Sequence, residues 1–390
     1  MGFEEIINDM DNSVSITIFG DVCPVKETMN NFLSGNPEKI VSKSIIDIIK
    51  NSDFVIGNLE CVLTDSPTPI KKAGPVLYAP EVVATTFKKI GFNIFGISNN
   101  HIRDCGDKGL TSTIESCRKN SIETFGAGFT INEAKKPIFL ELNDIKIGLQ
   151  AFSEHEFNVV NNKQGGASVF DPYEDLKIIK NFKNEIDYLI ILYHGGIEYY
   201  PYPSPLLQKK CRAMIDAGAD YVICQHSHCI GTFEEYNNGF ILYGQGNNIF
   251  GHKKNNDSWN NGLILNINLT KEKKYINLIP CFTNQDNIFE QFDKSKANII
   301  IQNIKNESKK IKDNNFIENE WIKFCSSIEY LDMPLLLGWN RYLNYLNRIF
   351  KGLPFKWIYN KKKLNIIHNM IRCESHNEVI QSLLSKYNFN

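Results

Sequence analysis

The feature that most constrains this chain is a set of short apolar segments that each lead into a polar residue. Five such segments have the length and continuous apolar character of buried strands. They cover 14–19, 54–57, 92–97, 187–193 and 220–225, and the polar residues that follow them are Asp21, Glu60, Asn100 with His101, His194, and His226 with His228. In open α/β sheets, ligands bind beyond the carboxyl ends of the strands. We therefore expect these side chains to meet at one edge of a sheet.

The order of the predicted elements indicates an α/β fold. Strands alternate with helical patterns from Val14 to about Gln225. Two of the helices have clear starts, because Asp171 and Ser204 are good N-cap residues and each is followed by Pro. The pattern thus predicts strands that are connected by helices through most of this region.

Beyond His228 the apolar pattern changes to a period of two, which predicts antiparallel strands. The segments with this pattern are 232–236, 240–243, 262–268 and 275–283. Asn237-Asn238-Gly239 is a hairpin-turn sequence between the first two. From about 285 onward the sequence shows charged helical segments and no motif. We predict a main domain over 13–284 and a helical C-terminal appendage over 285–390.

Composition excludes several classes of protein. The chain has 390 residues, 42% of them hydrophobic, and a formal net charge of −1. It can bury a large core, and no overall field attracts it to nucleic acid. The ten cysteines form no CxxC pair, which favours reduced thiols. Residues 1–12 lack the pattern of a secretory signal, and no apolar run reaches the about 18 residues that span a bilayer. We expect a cytoplasmic protein.

Carboxylate, amide and imidazole groups that converge on one site are the ingredients of a two-metal hydrolytic centre. One carboxylate bridges the two cations, while neutral imidazoles and oxygens complete each shell and leave room for a water molecule. The side chains that suit these duties are Asp21, Glu60, Asn100, His194, His226 and His228. Taken alone, a histidine at a strand end is more often a core or hydrogen-bonded residue than a ligand, Asp21 could be a turn residue, and Glu60 could be a surface carboxylate. Their joint placement favours the metal centre.

Several motifs in one order extend this interpretation. They are Phe19-Gly20-Asp21, Asn58-Leu59-Glu60, Asn99-Asn100-His101 continuing to Leu110, His194-Gly195-Gly196-Ile197-Glu198, His226-Ser227-His228, and Gly246-Asn247-Asn248-Ile249-Phe250. Over about Ser15 to Phe250 the chain resembles the CapA family of poly-γ-glutamate capsule biosynthesis proteins, in the calcineurin-like metallophosphoesterase superfamily. The resemblance implies a four-layer αββα sandwich with two divalent transition metals, Mn, Zn or Fe.

The resemblance also implies roles for individual residues. Asp21 and His228 would hold the first metal, Glu60 would bridge, and Asn100, His194 and His226 would hold the second.

His101 would protonate the leaving group, a role that suits imidazole because its pKa lies near neutral pH. Asp104 is placed to orient His101, and Glu198 would bind substrate or orient His194.

One position departs from the superfamily pattern, in which Asp-x-His is common at the first motif. Here the sequence is Asp21-Val22-Cys23, followed by Pro24. Cys23 could be a thiolate ligand, which would favour zinc. Alternatively it is a buried spectator, and then the first metal has fewer protein ligands.

The function implied is a soluble metal-dependent hydrolase that acts in the biosynthesis of a capsule or other surface polymer, poly-γ-glutamate or polysaccharide. A metal-bound hydroxide would cleave a phosphoester or a γ-glutamyl-type amide. Both reactions need a polarised oxygen, this hydroxide and a proton donor, so the ligand set does not distinguish them. The expected partners are a small-molecule or polymer substrate and capsule biosynthesis proteins, without nucleic acid. The alternative is a non-catalytic metal-binding subunit of a polymer assembly complex.

The appendage contains one further pattern. Within 335–363 the aromatic residues Trp339, Tyr342, Tyr345, Phe350, Phe355 and Trp357 are interleaved with Arg341, Arg348, Lys351 and Lys356, and Lys361-Lys362-Lys363 follow. Such a segment is typical of peripheral contact with an anionic membrane, here its inner face. The interpretation that the sequence favours is that the aromatic residues pack on the main domain and the basic residues form its solvated face.

Overall fold

A computed structural model describes residues 12–72 and 74–385, without the side chains of 330–332, 336 and 385. Residues 1–11, where the sequence predicts no secretory signal, lie outside the described residues. The chain divides into two compact units, one that ends at Ile317 and one that begins at Glu318. No helix of the described residues is both long and apolar enough to cross a membrane.

The strands of the described residues lie in the first unit. They are β1 (Val14–Val22), β2 (Phe54–Leu59), β3 (Val62–Leu63), β4 (Tyr78–Ala79), β5 (Ile94–Gly96), β6 (Glu123–Phe125), β7 (Ala127–Gly128), β8 (Ile138–Leu142), β9 (Ile145–Ser153), β10 (Gly166–Ala167), β11 (Tyr188–His194), β12 (Tyr221–Gln225), β13 (Phe233–Tyr236), β14 (Gly239–Leu242), β15 (Asn247–Ile249), β16 (Asn261–Leu269), β17 (Lys274–Thr283) and β18 (Phe289–Gln291).

The helices occur in both units. They are α1 (Met29–Leu33), α2 (Lys43–Lys50), α3 (Val83–Ile90), α4 (Gly106–Lys119), α5 (Ile131–Ala134), α6 (Pro172–Lys183), α7 (Pro205–Asp216), α8 (Asp257–Asn260), α9 (Lys294–Lys310), α10 (Asn314–Leu336), α11 (Arg341–Ile349), α12 (Leu353–Ile358), α13 (Lys361–Arg372) and α14 (Glu374–Ser385).

The main strands form two sheets. In the first sheet the order is β18-β17-β16-β1-β2-β5-β6, with β15 also paired to β1. In the second sheet the order is β13-β14-β12-β11-β9-β8. The centre of each sheet is parallel, since β1, β2 and β5 run in one direction and so do β9, β11 and β12. All carboxyl ends of these central strands therefore lie at one edge of their own sheet.

Alternate residues of each strand point into different layers. Ile16 and Ile18 of the first sheet share an apolar cluster with Ile190 and Leu192 of the second, so the two sheets pack face to face. The intervening Ile191 belongs instead to a cluster with α6 and α7. A third cluster lies between the first sheet and α2 to α4. The predicted four-layer αββα arrangement with a helical C-terminal region is thus confirmed.

The expectation that all five strand ends share one sheet edge is wrong. Asp21, Glu60 and Asn100 follow strands of the first sheet, whereas His194 and His226 come from the second. The strands are buried on both faces in a four-layer fold, so their apolar runs do not reveal which sheet they join. The site is assembled from two sheets whose carboxyl edges meet.

Local predictions that depend on a few residues are confirmed. The Asp171 carboxylate accepts a hydrogen bond from Tyr173 N at 2.9 Å, and Ser204 Oγ accepts one from Leu207 N at 3.1 Å. β13–β14 and β16–β17 are antiparallel as expected. β14 also pairs in parallel with β12, which the period of two did not indicate.

The first unit continues beyond the sheets. α9 packs against β17 and β13, its Ile304 joins the cluster between the sheets, and Ser308 Oγ accepts a hydrogen bond from Phe233 N at 2.9 Å. Because α9 packs on these strands, the first compact unit extends to Ile317, past the predicted domain boundary at 284. The second unit, described over 318–385, is helical.

Candidate metal centre

The Gly20-Asp21 pair is fixed by a close approach of two backbone segments. A Cβ atom at Gly20 would lie 2.6 Å from Gly246 O, so only glycine fits. Gly20 N donates a hydrogen bond to Asn248 Oδ1 at 2.7 Å. The first motif and the late Gly246-Asn247-Asn248 motif therefore hold each other, and together they position the end of β1.

Asp21 is fully buried at the end of β1 and is oriented by two hydrogen bonds. Asn58 Nδ2 donates to Asp21 Oδ1 at 2.8 Å, and the backbone N–H of His226 donates to Asp21 Oδ2 at 3.0 Å. The second bond crosses from one sheet to the other. Asp21 thus joins the two sheet edges at the site.

Glu60 follows β2 directly and is also fully buried. Among the described residues, neither of its carboxylate oxygens has a hydrogen-bond partner. Burial, reinforced by the negative charge of Asp21, raises the pKa of Glu60 to about 8. A buried carboxylate without hydrogen bonds is strongly disfavoured in its charged form unless a cation compensates it. Its environment fits a metal ion.

His194 ends β11 and lies among oxygen and nitrogen partners. Its Nδ1 is 3.1 Å from Asn58 Nδ2, and its Nε2 is 3.1 Å from Asn100 Oδ1 and 3.5 Å from Glu60 Oε1. Burial lowers the pKa of His194, which keeps its imidazole neutral. A neutral imidazole is the form that binds metals.

His226 and His228 lie just after β12 in left-handed backbone conformations, with φ of 91° and 49°. Such values are uncommon for non-glycine residues and cluster at functional sites. The Nδ1 atom of His226 is buried and has no hydrogen-bond partner within the described part of the chain. Burial lowers the pKa of His226 well below its usual value. Its free lone pair therefore suits a cation.

These side chains form two overlapping groups that could hold a metal ion. One group is Asp21, Glu60 and His228, the other is Glu60, His194 and His226, and within each the ligand atoms lie within 4.8 Å of one another. Glu60 belongs to both, which is the placement that a bridging carboxylate requires. Asn100, through its contact with His194, adjoins the second group. The structure brings together all six predicted ligands.

Two neighbouring asparagines were not singled out from the sequence. Asn58 contacts both Asp21 and His194, and Asn247 Oδ1 lies 2.8 Å from His228 Nδ1. Partners of this kind orient metal ligands and fix the histidine tautomer. Both asparagines could have been found from the sequence by their position in a motif. Asn58 lies two residues before Glu60, and Asn247 lies beside Asn248, which holds Gly20.

His101 lies on the turn before α4, beside the two groups. Its Nδ1 is 2.7 Å from Asp104 Oδ2, and its Nε2 is 4.0 Å from Glu60 Oε1. The carboxylate therefore engages one ring nitrogen and leaves the other facing the centre. Asp104 Oδ2 also accepts a hydrogen bond from Leu77 N at 2.6 Å, which fixes the carboxylate.

Lys72 is a further residue that sequence reasoning missed. Its side chain is almost fully buried, forms an ion pair with Asp104, and has Nζ 3.2 Å from His101 Nδ1. It comes from the loop between β3 and β4, where no period or motif marked it. The loop thus supplies a cation to the His101–Asp104 pair.

Cys23 lies outside the metal groups. Its side chain packs in the apolar cluster between the first sheet and the helices, together with Cys61. Burial and the neighbouring Cys61 raise the pKa of the Cys23 thiol well above its usual value. Neither group found among the described residues includes it. Of the two interpretations, the buried spectator is favoured.

A cavity of about 500 Å³ opens onto the site. Its lining includes Asn100, His101, His226 and His228 on the metal side. Around them stand Lys72, Glu156, Glu198, Tyr199, His252, Lys253 and Trp259. Glu198 is exposed in the cavity wall, while Asn58 and Asn100 contact His194. This position matches the substrate-binding alternative for Glu198 better than the orienting one.

Comparison with known families decides the relationship. Residues 15–252 match the family model described as bacterial capsule synthesis protein PGA_cap. The chain belongs to this family. The resemblance to capsule biosynthesis proteins of the CapA type is confirmed.

Individual relatives also match more than half of the chain. The capsule biosynthesis protein CapA of Bacillus anthracis is 29% identical over 249 residues, which cover 61% of this chain and 60% of that protein. The PGA biosynthesis protein CapA of Bacillus subtilis is 27% identical over 62% of this chain and 64% of its own length. The match thus spans under two thirds of either relative. Among solved structures, a 5'-nucleotidase precursor from Thermus thermophilus has 9% identity and a TM-score of 0.41, covering 75% of this chain and 58% of that chain.

Proposed function

We propose that this protein is a metal-dependent hydrolase that acts in the biosynthesis of a capsule or surface polymer and cleaves a phosphoester or a γ-glutamyl-type amide. Membership of the capsule synthesis family supports the process. The buried ligand groups and the cavity beside them support the chemistry. The name of the Bacillus subtilis relative, a PGA biosynthesis protein, supports poly-γ-glutamate as one candidate polymer.

The observation that carries this proposal is the state of Glu60. It is buried, it lacks hydrogen bonds among the described residues, and it is shared by two groups of ligand atoms. A structural glutamate would have a hydrogen-bonding partner, as nearly all buried polar groups do. The unsatisfied oxygens support a site for divalent cations, and Glu60 would be shared by the two ligand groups if both hold an ion.

The donor set narrows the class of metal. Carboxylate, amide and imidazole ligands without a thiolate suit Mn, Fe or Zn in the borderline range. When bound, such ions polarise the scissile group and lower the pKa of water toward 7. Asp21 and His228 would hold one ion, and Asn100, His194 and His226 the other.

The remaining residues handle the substrate and its proton. His101 Nε2 would hold the proton that the leaving group receives, because Nδ1 is engaged by Asp104. Lys72 would hold Asp104 in place through their ion pair. Glu198, in the cavity wall, would contact the substrate.

We also propose that the protein acts in the cytoplasm, alongside other capsule biosynthesis proteins. All ten of its cysteines are free, which is typical of a reducing compartment.

The test combines metal analysis of the purified protein with a screen of phosphomonoester, phosphodiester and γ-glutamyl substrates. Metal-dependent turnover of one class, lost on chelation and restored by Mn, Zn or Fe, is the expected result. Fully loaded protein that turns over none of the three would replace this proposal with a non-catalytic metal-binding subunit. Protein that binds no divalent ion would overturn both.

A further inference from the structure

Helix α11 in the second unit has its polar and apolar faces reversed. Asn344 and Asn347 are its buried residues, at 5% and 0% exposure. Tyr342 is 84% exposed, and Tyr345 and Ile349, one and two turns further on, are also exposed. A helix of an ordinary domain buries its apolar stripe and presents its polar one. The outward apolar face of α11 is therefore adapted to something other than water.

The same character continues through the next two helices. The exposed apolar residues of this region are Phe350, Leu353, Trp357, Ile358, Ile366 and Ile371. Trp357 is 85% exposed, the highest value among them. Scattered single residues of this kind are normal, but a run across three successive helices marks an interaction surface.

The charge of this region has one sign. Residues 333–373 contain eight Lys and Arg residues and no Asp or Glu. Since the whole chain has a formal net charge of −1, the rest of it is acidic. The basic residues are Arg341, Arg348, Lys351, Lys356, Lys361, Lys362, Lys363 and Arg372. The partner of this surface is therefore anionic.

We propose that helices α11 to α13, which we term the basic–aromatic surface, dock on an anionic lipid surface. A lipid bilayer offers negative headgroups for the basic side chains and an apolar boundary for exposed Trp, Tyr, Leu and Ile residues. Tyr and Trp in particular favour the membrane interface, where one end of the side chain is apolar and the other is wet. Such a surface would therefore contact both the basic and the apolar side chains of these helices.

Two other binding partners would satisfy either the basic or the apolar side chains of this surface, but not both. A soluble polyanion neutralises Lys and Arg but leaves Trp357 and the aliphatic residues in water. A second copy of the chain would cover the apolar residues but would bring two surfaces of like charge together, which is repulsive. Peripheral binding to a membrane does not require a helix that crosses it, and the described residues contain no such helix.

The experiment measures co-sedimentation of the full chain with vesicles of phosphatidylcholine alone and with vesicles that also contain phosphatidylglycerol. We expect binding to the anionic vesicles only, weakened by salt. The double variant Lys361→Gln/Lys362→Gln should bind about 25-fold more weakly, at about fivefold for each charge near such a surface. The matched control Lys177→Gln/Lys180→Gln removes two exposed lysines of α6 and should bind as wild type.

A second pair of variants tests the apolar half. Tyr342→Ser should weaken vesicle binding about tenfold, because a large side chain no longer enters the interface. Tyr173→Ser, at an equally exposed position of α6 (82%), is its control and should change nothing. All variants alter exposed side chains, and circular dichroism verifies that each remains helical.

Several outcomes would overturn the proposal. One is binding to soluble poly-glutamate with no binding to vesicles, which would assign the surface to a polyanion. Another is vesicle binding that both surface variants leave intact. A third is a dimer by sedimentation velocity that Tyr342→Ser dissociates, which would make the surface a contact between copies. None of these readouts depends on the hydrolytic activity proposed above.

Discussion

The candidate metal ligands of the first unit and the basic–aromatic surface of the second both depart from ordinary burial, in opposite directions. At the ends of β1 and β2, Asp21 and Glu60 are acidic residues at 0% exposure. On α11 and α12, Tyr342 and Trp357 are aromatic residues that are mostly in water. Charged residues are almost never fully buried without partners, and large exposed apolar patches are rare on monomers.

The comparison shows what each region lacks within its own polypeptide. Glu60 needs positive charge, because its oxygens have no hydrogen-bond donors among the described residues. Tyr342 and Trp357 need an apolar environment, and residues 333–373 around them contain Lys and Arg but no Asp or Glu. We infer that a small cation satisfies the first region and an extended anionic surface satisfies the second. Changes at the first region should therefore alter metal binding and leave vesicle binding unchanged, and changes at the second should do the reverse.

The largest effect should follow from Glu60→Ala. Both ligand groups share this residue, so the metal content should fall close to zero. The loss of metal affinity should exceed the 10–100-fold that is typical for a residue that only orients a ligand. Inductively coupled plasma mass spectrometry measures it. Glu198→Ala, in the cavity wall, is the control and should keep its metal. Vesicle binding by the Glu60 variant should be unchanged, which sharpens the contrast between the regions.

A Glu60→Ala protein that retains its full metal content would remove the site assignment. A variant that loses metal and also loses vesicle binding would break the comparison, since the two regions would then be coupled.

The next effect is on activity. His101→Ala should retain its metals but lose about 10²–10⁴-fold in rate, the usual contribution of a general acid. The loss should be greatest for substrates with poor leaving groups, which need the proton most. His252→Ala is the matched control, because His252 also lines the cavity but its Nδ1 is 3.0 Å from Thr283 O, away from Asp104. Equal rates for both variants on a poor leaving group would show that His101 is not the acid.

A smaller effect is expected from Asn58→Ala. Asn58 holds Asp21 and His194 in place without belonging to either ligand group. Metal affinity, measured by competition with a chromogenic chelator, should fall about 10–100-fold. Asn120→Ala removes a half-buried asparagine that caps α4 and should leave affinity unchanged. If the two variants have the same affinity, Asn58 has no part in the centre.

Much of the site was predictable because its residues follow strands directly. The order of apolar runs and polar residues located the ligand candidates, and short-range signals such as Asp171 and Asn237-Asn238-Gly239 fixed a helix start and a turn. These depend on chemistry within a few residues. The helical character of the C-terminal region followed from periodicity for the same reason.

What sequence could not supply was long-range pairing. The division of the strands between two sheets depends on which buried strands become neighbours, and all of them carry similar apolar runs. Lys72 reaches the His101–Asp104 pair from a loop whose path is set by the short β3–β4 pairing. The reversal of α11 was likewise not visible, because the identity of its inward face is decided by the helices that it packs on.

The last and smallest effect concerns Cys23, where we expect no change at all. Its thiol packs in an apolar cluster beside Cys61, and burial raises its pKa, so it stays protonated and unreactive. Alkylation of Cys23, followed by mass spectrometry of the modified peptide, should proceed at the same low rate in metal-loaded and metal-stripped protein. Cys373, which is half-buried in the second unit, should label faster in both and serves as the internal control. Since a thiolate held by a cation is shielded until that cation leaves, labelling that rises on chelation at Cys23 alone would make it a ligand. The first metal site would then contain a soft donor, which favours zinc over manganese.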